Sequence, residues 1–397
     1  MNLEAIRKDF PALANRIFLD SACVGIAARP TVEAVKGFAD STLALDNFPS
    51  HPAMDGAREP ARHEAARLLN AAPEEIAVIE STTYGLNIAA VNIDLKPQDN
   101  VVFCDLEFPQ VTIPWLVRQK QVGFEIRVVA NREGRILAED VAKLVDDKTR
   151  AVILSSVQWS NGYKCDLAKM SEVTHAKGAI LVIDAVQHAG VVNLDVRETD
   201  VDVVTSGGHK WLNAPYGAGF LYVRRSLLDQ FHPPFDGYMN TLEPDVGWEN
   251  YFATPSITPI RDWQFTDTAK KFEVGGTSNY PGAVGFGASL KYLNDIGIVN
   301  AERHVIELTD YLVEELKKIG ARIVTPLEHE ARSGIMTFRL NESQAADADL
   351  RERLIKAGVL ISVRYTSNVG GLRVSVHYFN SRDDIDGLLD AIKKLTA

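Results

Sequence analysis

The sequence predicts a large α/β domain built on a mostly parallel sheet, followed by a smaller α+β domain. Three observations predict it. Short apolar, β-branched runs alternate with segments of helical spacing from residue 74 to residue 223, the pattern of a parallel sheet covered on both faces. Residues 230–265 break that pattern with a stretch rich in Pro, Gly and aromatics. After the break the rhythm changes to long helices followed by strands with alternating polarity.

Taken in order, "EEIAVIE" (74–80) reads as a strand, and "STTYGLNIAAVNI" after it has helical spacing. "NVVFCDLEF" (100–108) is a strand with "VTIPWLVRQKQ" as its helix. "FEIRVVAN" (124–131), "RAVILSSV" (150–157) and "GAILVIDAV" (178–186) are further strands. "LAKMSEVTHAKG" (167–178) is a helix expected to end at Gly178, since glycine is a common helix stop. "VDVVTSGG" and "GAGFLYVRR" complete the sheet. Residues 230–265 read as irregular surface. Beyond them "AVGFGASLKYLNDIG" and "VIELTDYLVEELKKIG" are helices, "GIMTFRL" and "GLRVSVHYF" strands, and "DDIDGLLDAIKKL" a terminal helix. The division expected is 15–285 for the large domain and 286–397 for the small one, with residues 1–14 packing on the latter.

Bulk properties narrow the function. With 397 residues, 46% of them hydrophobic, the chain can bury a large core. A net charge of -11 and no basic stripe argue against nucleic acid. No run is long enough for a membrane helix, and the charged start "MNLEAIRKDFPAL" has no apolar signal core. The three cysteines, Cys23, Cys104 and Cys165, are far apart. They offer neither zinc spacing nor a disulfide framework, so the expectation is a cytoplasmic protein without a metal. There is no G-x-G-x-x-G after the first strand, no Walker motif, no G-x-S-x-G and no H-E-x-x-H. Dinucleotide, nucleotide and common hydrolase chemistries lose their signatures.

In open α/β sheets, ligands sit at the carboxyl ends of the strands. Several polar residues fall there. "STT" (81–83) opens a helix and is either an anion cradle or a plain N-cap. Asp184 ends "AILVID", with Gln187 three residues on; it is a functional carboxylate or a structural cap. Phe108 could stack on a ring or fill a core. Lys210, in "TSGGHKWLNAPYGAGFLYV", stands between two buried strands. A buried ammonium is costly unless it is paired or chemically altered, which tilts Lys210 towards function. An anion cradle, a ring stacker, an Asp and a Lys together suit pyridoxal phosphate, with its phosphate, flat ring, pyridinium nitrogen and lysine-reactive aldehyde.

The ordered series "IRKDFPAL…RIFLDSA", "STTYGLN", "EFPQVTIPW", "VIDAVQHAG", "SGGHKWL", "FEVGGTSNYPGAVGFGASLKYL" and "GLRVSVHYFNSRDDID" resembles the fold-type I pyridoxal-phosphate enzymes of the class V aminotransferase group. That group includes cysteine desulfurases and isopenicillin N epimerase-like proteins. The resemblance covers nearly the whole chain. It implies that Lys210 forms the Schiff base, Asp184 pairs with the pyridine nitrogen and Gln187 reaches the ring hydroxyl. It implies phosphate contacts from Thr82, Thr83, His209 and Ser206, and a ring stacked by Phe108. It implies that Thr277 reaches the neighbouring subunit's phosphate in a homodimer with shared active sites. Arg373 would grip the substrate carboxylate, with Arg364 as a second arginine in the pocket, the fork that suits a carboxylate.

One departure matters. Cysteine desulfurases carry a catalytic cysteine on the loop before the carboxylate arginine, and this chain has "RYTSNVGG" there, with no cysteine after Cys165. Trp159, in "VQWSNG", stands where desulfurases have an Asn. The resemblance implies an amino-acid substrate, an external aldimine and Cα deprotonation. Aminotransferase-type chemistry leads, a β-eliminating C–S lyase follows, and an epimerase is third. Tyr365, Tyr280 and Trp248 are candidates for shaping the choice. Cys23, in "LDSACVG", is a catalytic thiol or a small buried residue.

Overall fold

The computed structural model describes residues 1–44 and 56–396. A short strand β1 (Ile17–Phe18) precedes a seven-stranded sheet of β2 (Ile76–Ile79), β3 (Asn100–Cys104), β4 (Glu125–Val129), β5 (Thr149–Ser155), β6 (Ile180–Asp184), β7 (Val203–Gly207) and β8 (Gly219–Val223). Their order is β2-β8-β7-β6-β5-β3-β4. Strands β7 through β4 run parallel, and β8 is antiparallel to both neighbours. Each predicted strand of the region is present. The apolar runs are continuous because both faces are covered: Leu181 and Ile183 of β6 enter one core, and Val182 between them enters the other.

Two expectations shift. The helix expected to end at Gly178 spans Leu167–His175. Asp166 caps its start by accepting from the Lys169 amide, and Gly178, at φ +70°, belongs to the turn beyond its end. Residues 230–265 are mostly irregular, but Gly247–Ala253 forms a helix. Trp248 packs there against Tyr238, Phe252 and Trp263 at ring-centroid distances of 5.0, 5.6 and 6.2 Å.

Helices Tyr280–Ile296 and Ile298–Lys318 follow. The later strands are β9 (Arg322–Ile323), β10 (Ile335–Arg339), β11 (Val359–Leu360), β12 (Ser362–Thr366) and β13 (Val369–Ser375). They form an antiparallel sheet in the order β12-β13-β10-β9, while β11 pairs with β1 in parallel. Strand β12 is new relative to the sequence reading. Its hairpin to β13 turns through Ser367 and Asn368, both with positive φ. That geometry usually selects Asn-Gly, so the Ser-Asn pair gives a weak sequence signal. A separate core lies between this sheet and the helices Ile298–Lys318 and Arg382–Thr396. The first residues reach the terminal helix through Arg7 to Asp384 at 2.7 Å, while Phe10 packs on Phe379, at 4.7 Å between ring centroids, within the main core beside the large sheet. Among the described residues no helix is long and apolar enough to cross a membrane.

Candidate active site

A cavity of about 350 Å³ opens where the carboxyl ends of β6 and β7 meet the N-terminus of helix Thr82–Asn92. It brings together most of the residues singled out in the sequence: Thr82, Thr83, Phe108, Asp184, Gln187, His209, Lys210, Arg364 and Arg373 all line it. Two do not. Ser206 is buried in β7 with its hydroxyl on the Gly207 carbonyl, and Thr277 is exposed on the surface away from the cavity.

The phosphate-sized end is built from the helix start. Ser81 caps the helix by accepting from the Tyr84 amide. Thr82 accepts from the Gly207 amide at 2.7 Å, so its own hydroxyl hydrogen is available to an anion. Helix N-terminal amides favour negative charge. Gly207 sits close to its neighbours: a Cβ there would lie 3.0 Å from His209 Nδ1 and 3.3 Å from Thr82 Oγ1, tight enough to push on both side chains. His209 stacks on Tyr216, and burial beside the Lys210 charge holds its ring below the ordinary histidine range.

At the opposite end, Asp184 is buried. Burial pushes its carboxyl up to about 7, against the Val186 amide on Oδ1 and the Lys210 charge. Gln187 is fixed at both ends: its Nε2 donates to the Ala22 carbonyl and its Oε1 accepts from Trp211. Lys210 is lowered to about 8, chiefly by burial, with Asp184 opposing and Arg373 and Arg364 adding to the shift. Its Nζ lies 5.8 Å from the centre of the Phe108 ring. Phe108 and Trp159 meet edge to face at 5.4 Å.

Arg373 is 1% exposed and lowered to about 10 by burial. It donates to the Trp159 carbonyl at 2.7 Å and reaches Asp20 at 3.4 Å, while its buried Nε has no hydrogen-bond partner among the described residues. Arg364 donates to the Val363 carbonyl and lies 3.6 Å from Cys23 Sγ. Cys23 therefore faces the site, a point the sequence left open. Alternation along β12 sends Arg364 and Tyr365 to opposite faces, and Tyr365 is tied to Asp347, outside the cavity lining. Neither Tyr280 nor Trp248 lines the cavity.

Sequence reasoning missed Ala22, Gln110 and Val186 in the lining, Asp20 behind Arg373, and Glu107 beneath Phe108. The first and fourth arrive because residues 20–25 pack on the lysine segment. The Gly25 amide donates to the His209 carbonyl at 2.8 Å, and a Cβ on Gly25 would clash with the Lys210 carbonyl. Glu107 did carry a signal, a carboxylate beside a buried strand end.

The cavity's donor set fits pyridoxal 5′-phosphate. It offers an anion cradle in which a Cβ at Gly207 would be crowded, a buried carboxylate with one oxygen unused among the described residues, and an amine of lowered basicity. Comparison with known proteins points the same way. The family model "Aminotransferase class-V" matches residues 17–388. A probable cysteine desulfurase of Halalkalibacterium halodurans is 28% identical over 427 residues, covering 99% of this chain and 98% of that protein. The cystine C–S lyase C-DES, solved with its product cysteine persulfide, superposes with a TM-score of 0.85 at 21% identity, covering 96% of this chain and 98% of that one. A mutant of the same enzyme, with glycine covalently linked to its PLP cofactor, gives a TM-score of 0.87 at 21% identity, covering 97% and 98%.

Proposed function

The chain belongs to the class-V aminotransferase family, and from that premise we propose that it removes the Cα proton of an amino acid whose carboxylate is held by Arg373. Pyridoxal 5′-phosphate is its cofactor. When bound, the cofactor supplies an aldehyde that condenses with amines and a protonated ring that takes up electrons from Cα. The observation that carries the proposal is the conjunction, in one cavity, of a lysine lowered to about 8 with the buried Asp184 and Arg373.

Lys210 is the base. An amine lowered to about 8 is partly neutral near neutral pH, so it can take a proton from carbon. Asp184 would hold the proton of the ring nitrogen, because a buried carboxylate gains most from a cation placed against it. Thr82, Thr83 and the helix amides would hold the phosphate, with His209 beside them. Gln187, fixed by Ala22 and Trp211, would reach the ring hydroxyl. Phe108 would cover the ring, and with Trp159 it excludes water. Arg373, whose Nε has no hydrogen-bond partner among the described residues, orients the substrate carboxylate, and Arg364 stands second to it. Thr277, exposed in the single chain, suits a role at a partner subunit's phosphate in a homodimer.

Transamination is the leading outcome: Lys210 carries the proton from Cα to a second carbon, which a single mobile amine can do. β-Elimination on a sulfur amino acid is the second reading. It is favoured by Cys23 in the cavity lining and by the relative's name, which places cysteine chemistry in the family. A desulfurase is not proposed, because no cysteine follows Cys165. The test is a panel of amino acids given to the holoenzyme with and without a keto acid. Products that require the keto acid support transamination. Pyruvate and ammonia formed without it overturn that outcome in favour of elimination.

A further inference from the structure

Arg364 enters the cavity from β12 with little of its own to hold it. Its guanidinium donates to the Val363 carbonyl and lies 3.6 Å from Cys23 Sγ, and it forms no ion pair among the described residues. Arg373, by contrast, has Asp20 at 3.4 Å. The cross-strand partners of Arg364 and Tyr365 on β13 are Gly371 and Gly370. No side chain opposite braces either of them, although such pairs are the usual support of residues in a sheet. The place of the Arg364 guanidinium therefore follows the backbone of β12.

That backbone is pinned on both sides of its hairpin turn's entry, and both pins lie outside the cavity. Tyr365, on the face of β12 opposite Arg364, donates its hydroxyl to Asp347 Oδ2. Asp347 is buried on helix Gln344–Lys356. Arg339, the last residue of β10, has its Nε 3.8 Å from the same oxygen, and its guanidinium carbon lies 5.6 Å from the centre of the Tyr365 ring. Tyr365 is thus held by a carboxylate at its tip and a cation near its ring. At the hairpin tip, Ser367, with φ +44°, donates to the Asp105 carbonyl at 2.6 Å. Asp105 is fixed in turn, because its carboxylate accepts from the amide and the Nδ2 of Asn131, each at 2.9 Å. The tip is thereby docked on the segment between β3 and Phe108. Tyr365, Asp347, Arg339 and Ser367 do not line the cavity.

We infer that Tyr365 and Ser367 are positioning residues for Arg364. Their hydrogen bonds to Asp347 and Asp105 hold β12 where its guanidinium meets the substrate carboxylate. The inference rests on the reading that Arg364 serves that carboxylate beside Arg373. It adds that this contact is set from outside the cavity, by a side chain on the far face of the strand and by the docked turn.

The test uses two probes that condense with the cofactor's aldehyde whatever the natural amino acid. Aminooxyacetate carries a carboxylate, and O-methylhydroxylamine does not. Each is mixed with the holoenzyme, and the rate at which the visible band is lost is followed. The ratio of the two rates reports the grip on the carboxylate and cancels changes common to both, such as partial unfolding or altered cofactor occupancy. Arg364→Ala should lower the ratio. Tyr365→Phe, which removes only a hydroxyl, should lower it by about threefold or more, the effect of one lost hydrogen bond. In the Arg364→Ala background the same change should have no further effect, since it acts through Arg364. Ser367→Ala should lower the ratio in the same way, and it carries the test by itself were Tyr365→Phe not to fold. A ratio lowered by Arg364→Ala but unmoved by Tyr365→Phe and Ser367→Ala would overturn the inference and leave the reading beneath it standing. A Tyr365→Phe effect that persists in full without Arg364 would overturn it equally. Failure of the underlying reading looks different: Arg364→Ala itself would leave the ratio unchanged, and the inference would fall with it.

Discussion

Lys210 sits among two guanidiniums and one carboxylate in the cavity, and its lowered basicity follows chiefly from burial, with those charges acting beside it. Folding lowers it from 10.5 to about 8. The unfolded chain therefore binds more protons between those values, so the stability penalty of this lysine is complete below about pH 8 and fades as pH rises to 10.5. Lys210→Met should stabilise the cofactor-free protein at pH 7 by up to about 3 kcal/mol, with the advantage gone above pH 10.5. Paired thermal melts across that range check it, and an advantage that grows with pH contradicts it. Cys23 gives a second test at this scale. It is the exposed cysteine, whereas Cys104 and Cys165 are buried. Iodoacetamide should label Cys23 in the folded protein, and bound cofactor should slow the reaction. Labelling of Cys104 or Cys165 first would be the wrong outcome. Asp184, Lys210 and the Thr82 pair could be found in sequence because polar residues interrupt apolar runs at strand ends. Cys23 and Asp20 could not be assigned, because their approach to Lys210 and Arg373 is fixed by contacts across nearly the whole chain.

Elements decide which side chains can meet. The parallel strands were legible because burial on both faces makes their runs continuous. β12 was harder to see: its half-buried, mixed composition and Ser-Asn turn carry little periodic signal. Yet β12 sorts Arg364 into the cavity and Tyr365 out of it, which removes Tyr365 from the substrate candidates. The junction of β7 with helix Thr82–Asn92 is the element most exposed to a single substitution. Gly207→Ala would force a methyl group against His209 and Thr82. It should weaken pyridoxal phosphate binding by roughly tenfold or more, about 1.4 kcal/mol, with the fold retained. Equilibrium titration of the cofactor checks this, and unchanged affinity would count against the assigned phosphate cradle.

At the scale of the molecule, residues from positions 22 to 373 converge on one cavity, so the fold as a whole is the device that makes the site. The chain's order of motifs carried that message in advance, whereas Thr277 is exposed and does not line the cavity. We propose a homodimer, and sedimentation at micromolar concentration should give twice the 43.7 kDa chain mass; a persistent monomer would leave Thr277 without the proposed role. The central claim is that this one cavity binds pyridoxal phosphate through Lys210. The most direct measurement is borohydride treatment of the reconstituted enzyme, followed by mass spectrometry of its peptides. The account predicts a visible band that borohydride bleaches, with the cofactor fixed on Lys210 and neither effect in Lys210→Ala. A wild-type protein that takes up no cofactor, or fixes it on another lysine, would contradict it.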